Sequence, residues 1–451
     1  MRIKNNNLKI LKKIIILALP IMMQALLVNS VSFVDTLMIG QLGSISIAAV
    51  GVASQLFFLI TMILNGISSG AGIFISQYWG AKNERGIQRT LGISFTFTTL
   101  IIGLIAIFST LKPEALMHLF TEDSSIVESG IIYLRIVGIS YIFSGLSFIY
   151  AIGFRSTGDT KTPLTISVIA LSIDIIGNYL LIFGIGIFPE LGIAGGAIST
   201  SVSRFVELIL YIFITNKRKG CPIKFSFKYS FSFDRASVKK FFKTTSPVII
   251  NHLFWAIGFI CYKIAYAKIG SDALASVQIV SSIENLFLIL IQGYAGAVAI
   301  ITGHLIGAEE MEELELYSNI SLRFSLVAGI LVALLLVILA PVFVGLFKIE
   351  PHIHDLSVQA LKMVALKLPI VSINIAAIVG ILRASGDTKF PMYVELGTIW
   401  LIGVPLAFFA VIVLNVSLPQ AYLLASVEEF VKLCLEVKRI KSRNYIKNLT
   451  K

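Results

Sequence analysis

Residues 153–163 read GFRSTGDTKTP, and residues 381–391 read ILRASGDTKFP. Arg383 follows Arg155 by 228 residues, and Arg, Gly, Asp, Thr, Lys and Pro then recur at the same spacing. Glycine permits a tight turn, and proline suits the first turn of a helix. The repeated phrase is therefore either a duplicated chemical site or a duplicated turn in a duplicated scaffold.

The composition predicts an all-α integral membrane protein. Of the 451 residues 56% are hydrophobic and only 14% are charged, which is more apolar surface than a water-soluble fold can bury. A helix needs about 20 apolar residues to cross a bilayer. Windows of that length predict twelve spans: 14–39, 50–78, 88–111, 126–153, 164–187, 193–215, 246–268, 274–302, 317–343, 357–382, 391–414 and 418–437.

The net charge of +12 is explained by topology rather than by nucleic acid, because Lys and Arg concentrate in alternate connections. That bias predicts a protein of the cytoplasmic membrane with both termini in the cytoplasm. The basic N-terminus and the apolar stretch after it are interpreted as a retained first span and not as a cleaved signal peptide. Cys221, Cys261 and Cys434 lack metal-binding or redox spacing. We expect no cofactor, no resident metal and a monomer.

A duplication runs through the chain, since Pro20 matches Pro247 and Gly66 matches Gly293. Six spans per copy predict two six-helix bundles related by a pseudo-two-fold axis along the membrane normal, a transporter architecture. The predicted domains are an N-lobe (1–215), a cytoplasmic linker (216–245) and a C-lobe with a basic tail (246–451). In the linker, KFSFKYSFSF (224–233) alternates like an extended segment on the membrane surface.

Two carboxylates inside spans are the strongest functional candidates, because an ionisable group in lipid is costly. Asp35 lies in the first span and Asp174 in the fifth, with Asn178 at i+4 on the same helix face. The repeat places Tyr262 opposite Asp35 and Ile402 opposite Asp174. A scaffold requirement should recur in both copies, whereas a proton or Na⁺ site is needed only once.

Other charged residues in the spans are open to a structural reading. Arg204 and Glu207 are spaced i, i+3, and Glu428 and Lys432 are spaced i, i+4, so both sets are predicted to be ion pairs. Glu284 has no partner nearby in the sequence, which makes it the best ionisable candidate of the second half.

Aromatic residues of the seventh span include Trp255 and Tyr262. They could line a cavity for organic cations, or they could be packing residues.

The stretches FVDTLMIGQLG (33–43) and ISQYWGA (75–81), together with the repeated phrase and the six-plus-six duplication, resemble the multidrug and toxic compound extrusion (MATE) family over nearly the whole chain. The resemblance implies a cation-coupled antiporter that exports organic cations and related drugs by alternating access. It implies that Asp35 is the acidic residue of the first helix. Asp174, Asn178 and Thr200 fall where the family places the polar partners of its cation site.

The sequence departs from some members of that family. Where those members carry acidic residues in the seventh and tenth helices, this chain has Trp255, Ser372 and Asn374. We therefore expect coupling, by H⁺ or Na⁺, in the N-lobe. Glu284, Trp255, Tyr262 and Asn374 remain candidates for a substrate cavity.

The alternative function is a flippase or exporter of lipid-linked saccharide precursors, which predicts a groove rich in arginine and often additional spans. The facilitator superfamily fits less well because its signature lies between spans two and three, whereas this phrase follows span four. An enzyme is disfavoured because no catalytic motif lies in the spans.

Overall fold

A computed structural model describes residues 2–225 and 234–451, with side chains from Lys9 onward. Within those ranges the regular elements are helices. Their bounds are α1 Arg2–Gly40, α2 Ser44–Gly80, α3 Glu84–Leu111, α4 Pro113–Met117, α5 Ser124–Val137, α6 Ser140–Ser156, α7 Lys161–Phe183, α8 Gly192–Lys217, α9 Arg235–Ala267, α10 Ser271–Gly307, α11 Met311–Val344, α12 Pro351–Ile375, π1 Ala376–Arg383, α13 Lys389–Thr398, π2 Ile399–Gly403, α14 Val404–Ile412, α15 Leu418–Ala425 and α16 Val427–Lys441.

Ten helices of the described ranges are long and apolar enough to cross a membrane, and eleven if α5 and α6, bent by 49°, form one span. The all-helical, multi-pass prediction is confirmed, but the count of twelve spans is not reached. The predicted last span, 418–437, falls on α15 and α16, which meet at Ser426. Each of them is too short to cross alone.

The chain divides into two compact units. The N-terminal unit comprises Met23–Trp79 and Asn83–Thr245, and the C-terminal unit comprises Met1–Met22, Gly80–Lys82 and Ser246–Lys451. The expected N-lobe of residues 1–215 thus begins at Met23 in this division. Much of the expected linker is helical, because α8 ends at Lys217 and α9 begins at Arg235. The surface segment predicted for 224–233 falls mostly on 226–233, outside the described residues.

The repeated phrase forms a tight turn in each half, as predicted. Gly158 has φ +90° and Gly386 has φ +82°, left-handed conformations that glycine adopts without steric cost. Asp159 accepts the backbone N–H of Thr162 at 3.0 Å and so caps the start of α7. The turns are therefore duplicated structural elements.

The second aspartate of the repeat has a different role from the predicted cap. Asp387 is 1% exposed and accepts hydrogen bonds from Arg439 at 2.8 Å and from Lys447 at 2.6 Å. Lys447 also donates its backbone N–H to the Ser385 carbonyl at 2.8 Å. This turn holds the C-terminal tail, which no local pattern in the phrase indicates.

The arginines of the phrase, Arg155 and Arg383, both form contacts with other helices. Arg155 donates to Gln24 of α1 at 2.6 Å. Arg383 is 5% exposed and pairs with Glu395 of α13 at 2.5 Å, and Asn251, the repeat counterpart of Gln24, donates to the same carboxylate. Each phrase therefore fastens its turn to the interior of its own unit.

Candidate functional site

The first candidate site lies in the N-terminal unit and joins α1 to α7. Asn178 donates its side-chain N–H to Oδ1 of Asp35 at 2.8 Å. Asp174 and Asn178 are each only 2% exposed, as expected for two residues on one inward helix face. The structure thus brings together three of the four residues predicted for cation coupling.

Helix α8 completes this site with groups next to Asp174. The hydroxyl of Ser199 donates to the Asp174 carbonyl at 2.8 Å, and Thr200, the fourth predicted residue, interacts with the Asp174 carboxylate. Arg204 pairs with Glu207 at 2.9 Å, as predicted, and also acts electrostatically on both aspartates. The sequence missed Ser199 and this wider influence of Arg204, because the packing of α8 against α7 is not a local property.

The N-terminal cluster can bind a small cation through oxygen atoms. Asp35, Asp174 and Thr200 offer oxygens, and Oδ1 of Asn178 is buried without a hydrogen bond among the described residues. Oxygen ligands suit a hard monovalent cation, and a buried carboxylate can equally take a proton. The chemistry of these groups is therefore compatible with a proton and with a hard monovalent cation.

The second candidate site is a cavity of about 170 Å³ within the C-terminal unit. Trp255, Tyr262, Glu284 and Asn374, the four residues predicted for a substrate cavity, all line it. Residues of π1 and π2 also line it, and π-helical turns are frequent at functional sites. The cavity is a property of the fold, because these residues come from separate helices.

Ion pairs inside the cavity complete one expectation and correct another. Glu284 has no partner nearby in the sequence, but Lys367 of α12 pairs with it at 2.9 Å. Lys432 pairs with Glu429 at 2.9 Å and not with the predicted Glu428. Proximity in sequence could not identify Lys367, and the spacings i, i+3 and i, i+4 both place neighbours on one helix face.

The Glu429–Lys432 pair has a counterpart in α8. Residues 201–208 read SVSRFVEL and residues 426–433 read SVEEFVKL, so Arg204 aligns with Glu429 and Glu207 aligns with Lys432. Each pair is 2.9 Å long, and the order of its charges is reversed between the two units. The repeat thus conserves an ion pair on this helix but not its polarity.

Two carboxylates of α16 belong to none of the ion pairs found in residues 9–225 and 234–451. Glu428 lines the cavity, and its Oε2 is buried beside the Tyr262 hydroxyl, which is its hydrogen-bond donor. Glu436 is fully buried, and both of its carboxylate oxygens lack hydrogen bonds within the described chain. Buried carboxylates without a base as partner are rare, so each calls for an explanation.

Comparison with known sequences and structures identifies the family. The sequence profile of MatE matches residues 20–180 and 247–409, most of the chain and both copies of the repeat. The chain belongs to the MatE family. Members of this family are membrane transporters and not enzymes. The two matched segments correspond to the two halves of the duplication.

Similar proteins support this assignment. The uncharacterized transporter YisQ of Bacillus subtilis is 29% identical over 437 residues, covering 95% of this chain and 93% of its own length. The probable multidrug resistance protein NorM of Thermotoga maritima is 25% identical, over 92% of this chain and 89% of its own. A mutant of the MATE transporter VcmN of Vibrio cholerae has the same fold, with a TM-score of 0.89, 19% identity and coverage of 98% and 99% of the two chains.

Proposed function

We propose that this MatE protein is a cation-coupled antiporter that exports organic cations and related drugs across the cytoplasmic membrane. The similarity to proteins named as multidrug resistance proteins supports the direction and the class of cargo. The coupling ion is H⁺ or Na⁺, and the cargo is a small organic molecule.

The observation that carries this proposal is the carboxylate cluster of the N-terminal unit. Asp35 and Asp174 lie in spanning helices and share polar neighbours, with Asn178 bound to Asp35 at 2.8 Å. Their repeat positions hold Tyr262 and Ile402. A carboxylate pair that only one copy carries, at a cost in lipid, fits ion coupling better than it fits a scaffold.

The cargo is proposed to contact the cavity of the C-terminal unit. Its aromatic walls include Trp255 and Phe259, whose rings stack at 5.5 Å, together with Tyr262. Glu284 and Asn374 add polar groups to the same walls. Aromatic faces and carboxylates together favour organic cations.

The working cycle is proposed to follow the parallel-repeat architecture of twelve spans around a pseudo-two-fold axis, in a monomer with both termini in the cytoplasm. Binding of H⁺ or Na⁺ at Asp35 and Asp174 shifts the population toward the outward, cargo-releasing state. Loss of the ion to the cytoplasm restores the cargo-binding state. The ion and the cargo thus alternate rather than bind together.

Transport by purified protein in liposomes tests the proposal. Ethidium movement is followed by fluorescence under an imposed pH gradient, an imposed Na⁺ gradient, or neither. We expect one of the two gradients to drive transport and Asp35→Asn to remove that response. Coupled transport that survives in Asp35→Asn contradicts the assignment of the coupling site.

A matched control removes a carboxylate that lies outside the cluster. Glu190 is exposed and follows α7, so Glu190→Gln is expected to leave gradient-driven transport unchanged. Protein quality is compared by gel filtration, so that a misfolded variant is not scored as uncoupled.

A further inference from the structure

Three lysine side chains line the cavity of the C-terminal unit, and each of them contacts another side chain. Lys367 pairs with Glu284 and Lys432 pairs with Glu429, each at 2.9 Å. Lys263 donates to Gln278 at 3.0 Å and lies 5.4 Å from the Phe259 ring centroid. Lys367 and Lys432 are therefore paired with carboxylates of the cavity, whereas Lys263 has a neutral partner.

Among the described residues that line the cavity, Glu428 is the carboxylate that forms no ion pair. It is 8% exposed, and the Tyr262 hydroxyl is its hydrogen-bond donor, but no base of the described chain forms an ion pair with it. A built Cβ at Gly403 would collide with this carboxylate and with the Tyr262 hydroxyl, so glycine at that position leaves space for both. An uncompensated carboxylate in such a place is costly unless a ligand satisfies it.

The repeat indicates that the scaffold does not require this charge. The counterpart of Glu428 in α8 is Ser203, whose hydroxyl donates to the Ala170 carbonyl at 2.7 Å. The same helical position therefore folds with a small neutral side chain in the N-terminal unit. This reasoning parallels that for Asp35 and now marks a residue of the other unit.

A second acceptor faces the cavity from α12. Asn374 is 1% exposed, and its side-chain N–H donates to Oε2 of Glu429 at 2.6 Å. Its Oδ1 remains without a hydrogen bond in the described structure. The cavity thus presents the carboxylate of Glu428, which has a hydroxyl donor but no base as its partner, and the unpaired Oδ1 of Asn374. Both are acceptors, and this polarity binds a positively charged group.

The walls decide which positive charge fits. Na⁺ is a hard cation that needs several oxygen ligands, whereas this cavity offers the Glu428 carboxylate and Oδ1 of Asn374 beside aromatic rings. Tyr262 stacks on Tyr266 at 6.2 Å, and Tyr266 stacks on Tyr422 at 4.6 Å. Aromatic faces bind quaternary and protonated ammonium groups. A dry cavity of roughly 150 Å³ holds one benzene ring, so about 170 Å³ suits an ammonium group with one ring.

We propose that Glu428 binds the positive charge of the cargo, with the ammonium head group and one attached ring seated between Asn374 and the aromatic wall. This assignment rests on the proposed export of organic cations. In this assignment Glu428 recognises the cargo, and Glu284 does not, because Glu284 already forms an ion pair with Lys367.

Equilibrium binding to purified protein in nanodiscs tests this assignment without any ion gradient. The probe is tritiated phenyltrimethylammonium, and tritiated tert-butylbenzene is its neutral isostere. We expect Glu428→Gln to weaken phenyltrimethylammonium binding about tenfold or more, the loss of a charge-assisted contact, and to leave the isostere unchanged. Equal affinity for phenyltrimethylammonium in wild type and Glu428→Gln overturns the proposal.

Two further measurements guard against a folding defect. Glu428→Ser installs the side chain found at the counterpart position and is expected to fold and to show the same loss. Photolabelling of the wild type with azidophenyl-trimethylammonium is expected to mark peptides within 255–266, 371–379 or 422–432. Labelling confined to other peptides also overturns the proposal. So does a Glu428→Gln variant that binds the probe with unchanged affinity and from which Na⁺ still displaces the probe.

The outcome is separable from that of the proposed function. If the wild-type protein transports no ethidium under either gradient, the proposed export is contradicted, but a dependence of binding on Glu428 still stands. Unchanged binding in Glu428→Gln, alongside gradient-driven transport by the wild type, contradicts this inference alone.

Discussion

The N-terminal cluster and the C-terminal cavity occupy related helices but handle charge differently. In the N-terminal unit, Asp35 and Asp174 share neutral partners such as Asn178, and the Arg204–Glu207 pair lies beside them. In the C-terminal cavity, lysines of the lining pair with two of the four lining carboxylates, Glu284 and Glu429. Glu395 pairs with Arg383, and Glu428 forms no ion pair among the described residues. A cluster left short of cations suits a small mobile cation, whereas an aromatic cavity in which one carboxylate lacks a base suits a larger cationic ligand.

The ion pairs of α8 and α16 occupy matching positions of the repeat with opposite polarity. With Arg204 at the first position of the pair in α8, a positive charge acts on the two aspartates. With Glu429 at that position in α16, Lys432 is the base, and the neighbouring Glu428 forms no ion pair within the described residues. The five predictions below test this contrast, beginning with the largest expected effect.

The α16 pair should be indispensable to the C-terminal unit. Lys432→Met leaves Glu429 buried without its base, and breaking a buried pair costs about 3–5 kcal/mol. The swap Glu429→Lys with Lys432→Glu, which adopts the polarity of α8, is expected to recover part of that loss. Urea unfolding in detergent measures both, and a swap no better than Lys432→Met contradicts the shared-scaffold argument.

The two sites should separate coupling from recognition. Asp35→Asn is expected to lower gradient-driven ethidium transport about a hundredfold, within the range of site coupling energies, and to leave phenyltrimethylammonium affinity within about twofold. Glu428→Gln is expected to show the reverse pattern in equilibrium binding. Equal losses in both assays for both variants would remove the distinction between the two sites.

The turns of the repeated phrase should differ in importance. Asp387 is 1% exposed and holds both Arg439 and Lys447, so Asp387→Asn is expected to cost about 2 kcal/mol, as for hydrogen bonds to charged groups. Asp159→Asn, at the more exposed turn, should cost less. Limited proteolysis of the C-terminal tail and thermal unfolding measure the two effects, and a tail equally protected in both variants contradicts the anchoring role of Asp387.

The isolated carboxylate of α16 should reduce stability. Glu436 is fully buried without hydrogen bonds in the described chain, and its counterpart in α8 is Tyr211. Burial disfavours the charged form of Glu436, which is ionised in the unfolded chain at neutral pH. Glu436→Gln removes the free-energy cost of that change on folding, so we expect the free energy of unfolding to rise by about 1 kcal/mol. A decrease in thermal stability in Glu436→Gln would show that the carboxylate is bound by a group that offsets its burial.

The smallest effect concerns pH. Burial raises the pKa of Asp159, but hydrogen bonds from Thr162 and Arg218 outweigh it and hold that pKa below its usual value. A lowered folded pKa contributes stability above the unfolded pKa of about 3.9, and this contribution is lost as pH falls through the folded pKa. The difference in stability between wild type and Asp159→Asn should therefore stay constant from pH 8 to 5 and shrink below pH 4.

The sequence predicted a large part of this protein because lipid restricts the solutions. Apolar windows located most helices, and the repeated phrase located the duplication and its left-handed glycines. Asp35, Asp174 and Asn178 were predicted as one site because a polar group in a span is conspicuous and helix periodicity places i and i+4 together. These are local signals, readable along one chain.

Only the tertiary structure decided which charges meet. Lys367 pairs with Glu284 of another helix, and Asp387 binds Lys447 of the C-terminal tail. Lys432 pairs with Glu429 and not with Glu428. The sequence supplies the charges, but their partners depend on which helix faces pack together. An ion pair forms between opposite charges that lie about 3 Å apart in space, however far apart they are in the chain. For that reason the sequence pointed to Glu284, and the fold points to Glu428.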